Sequence, residues 1–251
     1  MTTVTGKGWT MHLGDCIPCM KGEADRSFDH VITDPPYEAE AHTKQRRSKR
    51  GDVLTVEPLS FAPITAAERA DAGWHISRLA RRWSLVFCQV EAAMLWRDAL
   101  NFPGTSYRRT CVWNKPDGMP QLTGDRPAQG YESIVAVHAP GASTWNGGGK
   151  RGVFTHSARW SGGTPHDHPT EKPIELMLEL VDMFTDAGET IFDPFAGSGT
   201  TGVAALRRGR RFVGAEKDPK HFATCVERLR AEEAGSTLKA QRTGQVAMFG
   251  K

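Results

Sequence analysis

The chain has 251 residues, of which 39% are hydrophobic and 24% are charged. This composition provides enough apolar material for a sizeable core and excludes a globally disordered chain. The length suits one α/β domain, so we expect residues 1–251 to form a single domain. The formal net charge of +3 is too small to identify an anionic partner, and the distribution of the charges is more informative than their sum.

Nothing in the sequence indicates export or insertion into a membrane. The N-terminal segment lacks the apolar run of a signal peptide, and no stretch approaches the roughly 18 apolar residues that span a bilayer. Five cysteines are scattered along the chain, which fits free thiols in a reducing compartment. We therefore expect a soluble, cytoplasmic protein that has no membrane partner.

Short apolar runs of β type alternate with helical stretches along the chain. The predicted strands cover residues 10–13, 29–33, 84–89, 109–115, 132–139, 189–192 and 211–215. The predicted helices cover residues 66–83, residues 174–184 and a stretch that begins near Thr200. This alternation predicts βαβ units and a mostly parallel sheet. Strands 109–115 and 132–139 have no full helix between them, so we expect them to form an antiparallel hairpin at one edge.

Four of these strands are followed directly by polar or glycine-containing segments. The segments are Gly14-Asp15, Asp34-Pro35-Pro36-Tyr37, Asp193-Pro194-Phe195 and Glu216. Parallel α/β sheets bind their ligands at the carboxyl ends of the strands. The sequence therefore predicts a single site to which all four segments contribute.

A glycine loop, Phe195-Ala196-Gly197-Ser198-Gly199, leads into the helix near Thr200. Glycines permit a tight turn and a close approach of a ligand to the backbone, and the start of a helix offers unpaired N–H groups. Glu216 lies 23 residues after Asp193, where Rossmann-like folds hold ribose hydroxyls. A P-loop is excluded because no Gly-Lys-Ser/Thr is present, and the strict G-x-G-x-x-G pattern is absent. The loop favours a nucleoside cofactor over a simple tight connection.

Asp34-Pro35-Pro36-Tyr37 could serve only as a turn that ends a strand. Its chemistry indicates more, because the exocyclic amino group of a nucleobase is a poor nucleophile. Acceptors that orient its N–H bonds stabilise the charge that develops during methyl transfer. The Asp34 carboxylate and the Pro35 carbonyl supply two such acceptors. Tyr37 offers a flat face on which a base flipped out of a duplex can stack.

Three segments outside the βα alternation are predicted to be long loops, which in compact domains are usually functional or disordered. They cover residues 38–58, 116–130 and 140–166. The first contains the cations Lys44, Arg46, Arg47, Lys49 and Arg50. Such a run is most often a solvated loop. Directly after a base-binding motif, it is better explained as a clamp on a phosphate backbone.

Together with His168-Pro169-Thr170-Glu171-Lys172-Pro173, the Asp34-Pro35-Pro36-Tyr37 motif and the glycine loop resemble three signature motifs of the N6-adenine/N4-cytosine DNA amino-methyltransferases. Their order resembles the circularly permuted β class, in which the catalytic motif comes first. The resemblance extends over about residues 10–230. It implies an α/β, Rossmann-like fold of AdoMet-dependent methyltransferases, with a seven-stranded, mostly parallel sheet and one antiparallel hairpin.

The resemblance also implies a reaction. S-adenosyl-L-methionine (AdoMet) would be the cofactor and double-stranded DNA the substrate, inside a bacterial or phage-infected cell. The amino nitrogen of a flipped base would attack the methyl group in line, with no covalent intermediate on the enzyme. Homodimers are common in this class, and the sequence leaves that question open.

Site residues are carried over from the family motif by motif. The catalytic residues are Asp34, Pro35, Pro36 and Tyr37. The expected cofactor-binding residues are Asp15, Cys16, Asp34, His168, Thr170, Lys172, Asp193, Phe195, Gly197, Ser198, Gly199, Thr200 and Glu216. The expected DNA-binding residues are the five cations of 38–58 with Lys150, Arg151 and Arg159, which lie in a variable, target-recognition region over 116–166. No metal is expected, because Cys16 and Cys19 have no second ligand pair at zinc-site spacing.

Adenine N6 is the favoured target, since the cytosine enzymes often have Ser where this chain has Asp34. The alternatives are N4-cytosine methylation and, less favoured, methylation of RNA. A non-catalytic DNA-binding regulator and a small-molecule methyltransferase are further alternatives. The intact catalytic motif argues against the first of these two, and the basic loop argues against the second.

Overall fold

A computed structural model describes residues 1–37, 63–118, 120–121, 124–158 and 171–236. These residues contain nine strands: β1 (Thr2–Gly6), β2 (Trp9–Leu13), β3 (His30–Thr33), β4 (Trp83–Cys88), β5 (Ser106–Asn114), β6 (Tyr131–His138), β7 (Val153–Thr155), β8 (Thr190–Asp193) and β9 (Arg211–Glu216). They form one sheet in the order β1-β2-β9-β8-β3-β4-β6-β5-β7. The predicted mostly parallel α/β sheet is confirmed in its central part, where β2, β9, β8, β3 and β4 are parallel neighbours.

The prediction of seven strands and one antiparallel hairpin is wrong in its counts. The seven predicted strands correspond to β2–β6, β8 and β9, and the described chain adds one strand at each edge. β1 pairs antiparallel with β2, so a second hairpin accompanies the predicted one between β5 and β6. β1 is largely exposed and β7 has three residues, so neither produces the apolar run by which strands are detected in a sequence.

Six α-helices accompany the sheet in the described chain: α1 (Cys16–Gly22), α2 (Ala66–Leu79), α3 (Ala93–Ala99), α4 (Ile174–Phe184), α5 (Thr200–Arg207) and α6 (Pro219–Glu233). The first helix begins where the Asp15 side chain accepts from the Ile17 N–H. A capping box between Thr65 and Glu68 starts α2. This helix ends four residues before the predicted end at Trp83, because Ala80 is extended and Trp83 already belongs to β4.

Both faces of the sheet are covered, as a parallel sheet requires. Alternate residues of β4 show this most directly, since Leu85 and Phe87 pack in one apolar cluster and Val86 and Cys88 in the other. The first cluster includes the apolar faces of α4, α5 and α6, and the second includes those of α1, α2 and α3. The carboxyl ends of the central strands emerge between these two helical layers.

All five cysteines, including Cys19, which was expected to be a buried apolar residue, are free thiols. Within the described ranges, no three His, Cys, Asp or Glu side chains are grouped so that they could hold a metal ion. None of the described helices is long and apolar enough to cross a membrane.

Candidate active site

The predicted convergence of strand ends is confirmed by the order of the sheet. β2, β9, β8 and β3 are consecutive parallel neighbours, so the segments that follow them meet at one edge. A cavity of about 710 Å³ lies at this edge, a volume that suits a nucleoside-sized ligand. The expected site residues that line it are Asp15, Cys16, Asp34, Pro35, Pro36, Tyr37, Lys172, Asp193, Phe195, Gly197, Ser198, Thr200 and Glu216.

The glycine loop has the backbone conformation for which glycine is suited. Gly197 and Gly199 have φ angles of +52° and +88°, in the left-handed region that L side chains avoid. Gly199 is the N-cap of α5, and a Cβ atom there would overlap the sulfur of Cys225 on α6. A Cβ atom on Gly197 would meet no atom of the described residues. The loop therefore packs closely against α6 at Gly199 and leaves open space beside Gly197.

Glu216 connects β9 to the glycine loop. Its Oε2 accepts from the Gly197 N–H at 2.9 Å, and its Oε1 accepts from the Asp218 N–H at 2.8 Å. Each carboxylate oxygen has a second lone pair, so both keep the capacity to accept a hydroxyl donor from the cavity. This geometry fits the expected contact with a ribose.

Asp193 supports the same loop from beneath. Its side chain is buried, and its Oδ1 accepts from the Thr33 hydroxyl at 2.7 Å and from the Phe195 N–H at 3.1 Å. Burial raises the pKa of Asp193 to about 6, although hydrogen bonds from Thr201, Thr33 and the Phe195 backbone oppose the rise. Because these donors belong to β3 and to the loop backbone, Asp193 holds the end of β3 and the loop together.

A second contact holds the glycine loop through an ion pair that the sequence analysis missed. Arg228 on α6 contacts Glu171 with Nη2–Oε1 at 2.6 Å, and its Nη1 donates to the carbonyl and the hydroxyl of Ser198 at 3.0 and 2.8 Å. The Thr200 hydroxyl donates to the same Glu171 oxygen at 2.9 Å. These bonds connect the segment before α4, the glycine loop and α6.

The catalytic motif lies on the other side of the cavity. The Lys172 Nζ is 2.6 Å from Oδ2 of Asp34, which forms a largely buried ion pair. Oδ1 of Asp34 is also buried, and it has no hydrogen-bond partner in the described part of the chain. An unpaired buried acceptor costs free energy, and such groups require an explanation. Lys172 was expected near the methionine end of the cofactor, and the structure places its ammonium beside the Asp34 carboxylate.

Tyr37 is held at its hydroxyl group by Lys172 and by Glu132, a residue that the sequence did not indicate. The hydroxyl donates to Oε2 of Glu132 at 2.7 Å and accepts from the Lys172 Nζ at 3.3 Å. The same Glu132 oxygen is 3.2 Å from the Lys172 Nζ, and the other oxygen pairs with the ammonium of Lys115. The Lys172 ammonium also lies over the Tyr37 ring, 5.3 Å from its centroid.

The five side chains of Asp34, Tyr37, Lys115, Glu132 and Lys172 form a charge-balanced cluster, which we call the catalytic cluster because it contains two residues of the predicted catalytic motif. Burial disfavours the charge on Glu132, but the ammonium groups of Lys172 and Lys115 outweigh burial and lower the pKa of Glu132 to about 2. Burial raises the pKa of Asp34, the charge of Glu132 adds to the rise, and Lys172 opposes it. Burial lowers the pKa of Lys172, but the two carboxylates outweigh it, so the net pKa rises.

Sheet order provides the signal by which Lys115 and Glu132 could have been found. β5 runs parallel to β4 and β6 runs antiparallel, so the end of β5 and the start of β6 lie at the same edge as the end of β3. Lys115 directly follows β5, and Glu132 is the second residue of β6. A charged residue at each of these positions in the predicted hairpin faces the catalytic edge.

Some expected site residues lie outside the described ranges. They are His168, Thr170, the basic residues Lys44, Arg46, Arg47, Lys49 and Arg50, and Arg159. Lys150 and Arg151 are described, and both are exposed in the turn before β7. Neither of them lines the cavity, so any contact with DNA would be made away from the catalytic cluster.

Comparison with known proteins assigns this chain to a family. The family model for DNA methylases of the N6/N4 methyltransferase type matches residues 28–227, which is most of the chain. The chain belongs to the N6/N4 DNA methylase family. YubD of Escherichia coli (strain K12), which is named as a methylase, is 28% identical to this chain over 229 residues. The match covers 87% of this chain and 88% of YubD.

Solved DNA methyltransferases share the fold of this DNA methylase. M1.HpyAVI, solved as a complex with SAM (AdoMet), has a TM-score of 0.64 and is 22% identical to this chain. The match covers 88% of this chain and 100% of the M1.HpyAVI chain. The cytosine-N4-specific PvuII DNA methyltransferase gives a TM-score of 0.69 at 16% identity, covering 88% of this chain and 86% of its own. The predicted methyltransferase fold is confirmed, and AdoMet is the cofactor of the family.

Proposed function

We propose that this DNA methylase transfers the methyl group of AdoMet to the exocyclic N6 of adenine in double-stranded DNA. The observation that carries the proposal is the state of the Asp34 carboxylate. Lys172 is paired with Oδ2, and the buried Oδ1 has no partner among the described residues. Because Asp34 lines the cavity, Oδ1 supplies an acceptor for an amino group that enters it.

The cavity has the hydrogen-bond acceptors and the space that AdoMet requires. Glu216 would accept the ribose hydroxyls, and the open space beside Gly197 would admit the cofactor against the backbone of the loop. Asp15 and Cys16, at the end of β2, line the same cavity where the family resemblance places the adenine ring. When bound, AdoMet supplies an electrophilic methyl group on a sulfonium.

The catalytic motif would act on the amino group of the target base. A base in a duplex does not reach such a cavity unless it is flipped out of the stack. Asp34 Oδ1 and the Pro35 carbonyl would accept its two N–H bonds, which directs the nitrogen lone pair and stabilises the positive charge that develops. The nitrogen would then bond to the methyl carbon in line as the methyl–sulfur bond breaks, and S-adenosylhomocysteine would leave. The Asp34 carboxylate would be positioned to accept the proton that the methylated nitrogen releases.

The choice of adenine over cytosine rests on the identity of residue 34. Both bases carry an amino group beside a ring nitrogen, so the acceptor geometry serves either of them. Asp34 favours adenine through the family resemblance, in which the cytosine enzymes often carry Ser at this place. Methylation of cytosine N4 is the alternative within the same chemistry.

Affinity for DNA would come from the two segments predicted to contact it. We assign the basic segment 38–58 to contacts with the phosphate backbone and the segment 116–166 to recognition of the target sequence. Lys150 and Arg151 are exposed in the second of these segments. Contacts to phosphates give affinity that depends on salt, whereas contacts to base edges give specificity.

The proposal is tested by identifying the product. The purified protein is incubated with AdoMet and unmethylated plasmid DNA, the DNA is digested to nucleosides, and the methylated nucleoside is identified by mass spectrometry. We expect N6-methyladenine. N4-methylcytosine would retain the mechanism and overturn the assignment of the base.

A matched reaction with RNA serves as the control for the substrate. Methylated RNA in the absence of methylated DNA would contradict the DNA assignment. A protein that binds AdoMet and methylates neither polymer would contradict the proposed reaction as a whole.

A further inference from the structure

We propose that Glu132 is a positioning residue that holds Lys172 and Tyr37 and thereby leaves Oδ1 of Asp34 as the acceptor for the target amino group. The inference rests on the proposed function, because it concerns the same site. Glu132 comes from β6, a strand that belongs to none of the three sequence motifs.

Glu132 accepts several hydrogen bonds within the catalytic cluster. Its two oxygens receive three donors: the Tyr37 hydroxyl, the Lys172 ammonium and the Lys115 ammonium. Its side chain is only 14% exposed, so these charge-assisted bonds form away from bulk water. Glu132 therefore contacts three of the four other members of the catalytic cluster.

Lys172 uses its ammonium hydrogens within the catalytic cluster. An ammonium group has three donor hydrogens. Lys172 directs them to Oδ2 of Asp34, to Oε2 of Glu132 and to the Tyr37 hydroxyl, at 2.6, 3.2 and 3.3 Å. With all three hydrogens committed, Lys172 is not available to bond Oδ1 of Asp34 as well. Without Glu132, one hydrogen would be released and the ammonium would be free to shift across the Asp34 carboxylate.

Glu132 also restrains Tyr37, whose ring is the expected stacking surface for the base. Its hydroxyl is fixed between Glu132 and Lys172, so the plane of the ring is set at the phenol end as well as by the backbone. The backbone carbonyl of Tyr37 also accepts from the Ile64 N–H at 3.2 Å. Loss of the Glu132 bond would leave the orientation of the ring less restricted.

The position of Glu132 also connects the catalytic cluster to the loop between β5 and β6. The Lys115 N–H donates to the Gly130 carbonyl at 2.7 Å, which closes the neck of the 116–130 segment. Lys115 and Glu132 stand on the two sides of this neck. Glu132 contacts Lys172 and Tyr37 and also pairs with Lys115, so this neck is connected to the catalytic cluster through Glu132.

The simpler explanation is that Glu132 only neutralises Lys115. The variants E132Q and E132Q/K115M separate the two explanations. E132Q removes the charge and keeps the shape, and the double variant removes the stranded ammonium as well, so it protects the fold if E132Q alone is unstable. E91Q, at an exposed glutamate outside the cluster, is the matched control.

Two measurements are made on each protein. The first is kcat for methyl transfer to plasmid DNA together with the dissociation constant of AdoMet. The second is the pH titration of the Asp34 carboxyl carbon by NMR in protein that carries ¹³C-labelled aspartate, with D34N used for assignment. The titration needs neither DNA nor cofactor, so it stays informative even if the proposed reaction fails.

We expect kcat to fall roughly a hundredfold in E132Q and in the double variant, the cost of a shift of about 1 Å at a reacting group. AdoMet affinity should stay within about threefold of the wild type, less than 1 kcal/mol of binding free energy. The Asp34 titration should move to lower pH in both variants, because the charge of Glu132 raises the pKa of Asp34. Recovery of the wild-type kcat in the double variant, or an unchanged Asp34 titration, would overturn the proposal. Absence of methylation in the wild type would instead overturn the proposed function.

Discussion

At the scale of single residues, two buried aspartates at adjacent strand ends have different tasks. Asp193 receives hydrogen bonds at Oδ1 from the Thr33 hydroxyl and the Phe195 N–H, so its carboxylate connects two parts of the protein. Asp34 has one oxygen paired with Lys172 and one with no partner in the described chain. The first residue builds the site and the second is equipped to act on a substrate. The residue type alone did not reveal this division, because both aspartates precede a proline at the end of a strand.

The raised pKa of Asp193 predicts a specific dependence of stability on pH. An unfolded aspartate ionises near pH 4, whereas Asp193 in the folded protein ionises at about 6. Between these values the folded state binds more protons than the unfolded state, so the contribution of Asp193 to the free energy of unfolding falls as the pH rises. Asn does not titrate and can still accept the bonds from Thr33 and Phe195.

The variant D193N should therefore gain stability relative to the wild type as the pH rises from about 4 to about 6. Above that range, the difference should stay constant. Urea unfolding at several pH values measures the two curves. Curves that run parallel across this range would contradict the assignment of the raised pKa to Asp193.

At the scale of elements, the glycine loop depends on α6 for its shape. Gly199 packs against Cys225, and Arg228 bonds the carbonyl and hydroxyl of Ser198, so one helix contacts two consecutive loop residues. Arg228 also forms an ion pair with the Glu171 carboxylate, which connects the segment before α4 to α6. The glycine loop is thus fixed from outside as well as by its own φ angles.

We expect R228M to weaken AdoMet binding about tenfold, since a bond to a charged group is worth roughly 1.5–3 kcal/mol and tenfold corresponds to about 1.4 kcal/mol. Calorimetric titration of AdoMet into the protein measures the effect. The control is R230M, at an exposed arginine two residues along the same helix. Equal AdoMet affinity in the two variants would show that Arg228 does not hold the loop in its binding conformation.

The sequence was most informative about elements with strong local signals. The helix Ile174–Phe184 begins and ends as predicted, because its apolar residues recur with helical spacing and Pro173 precedes it. The helix Ala66–Leu79 was predicted too long, since the apolar and basic residues that follow it continue a helix-like pattern into β4. Edge strands β1 and β7 were missed because half-exposed or very short strands carry almost no pattern.

At the scale of the whole molecule, the catalytic cluster combines residues that are far apart in the chain. Tyr37 and Glu132 are separated by 95 positions, and Tyr37 and Lys172 by 135 positions. The sheet order brings them together, since β3 neighbours β4 and β4 neighbours β6. The carboxylate at position 34 was predictable because its motif is local. Glu132 and Lys115 flank the loop of the predicted hairpin and could have been proposed from that position, but their contacts in the cluster depend on the pairing of β6 with β4, which no local motif specifies.

The central claim is that Asp34 accepts the amino group of the target base during methyl transfer. The most direct test is the single-turnover rate of methyl transfer to DNA by D34A at saturating AdoMet, compared with the wild type. We predict a fall of about a hundredfold or more, because removal of one preorganised group that stabilises developing charge costs 10²–10³ in rate. A D34A rate within a few-fold of the wild type would contradict the claim and would move the catalytic acceptor elsewhere in the cavity.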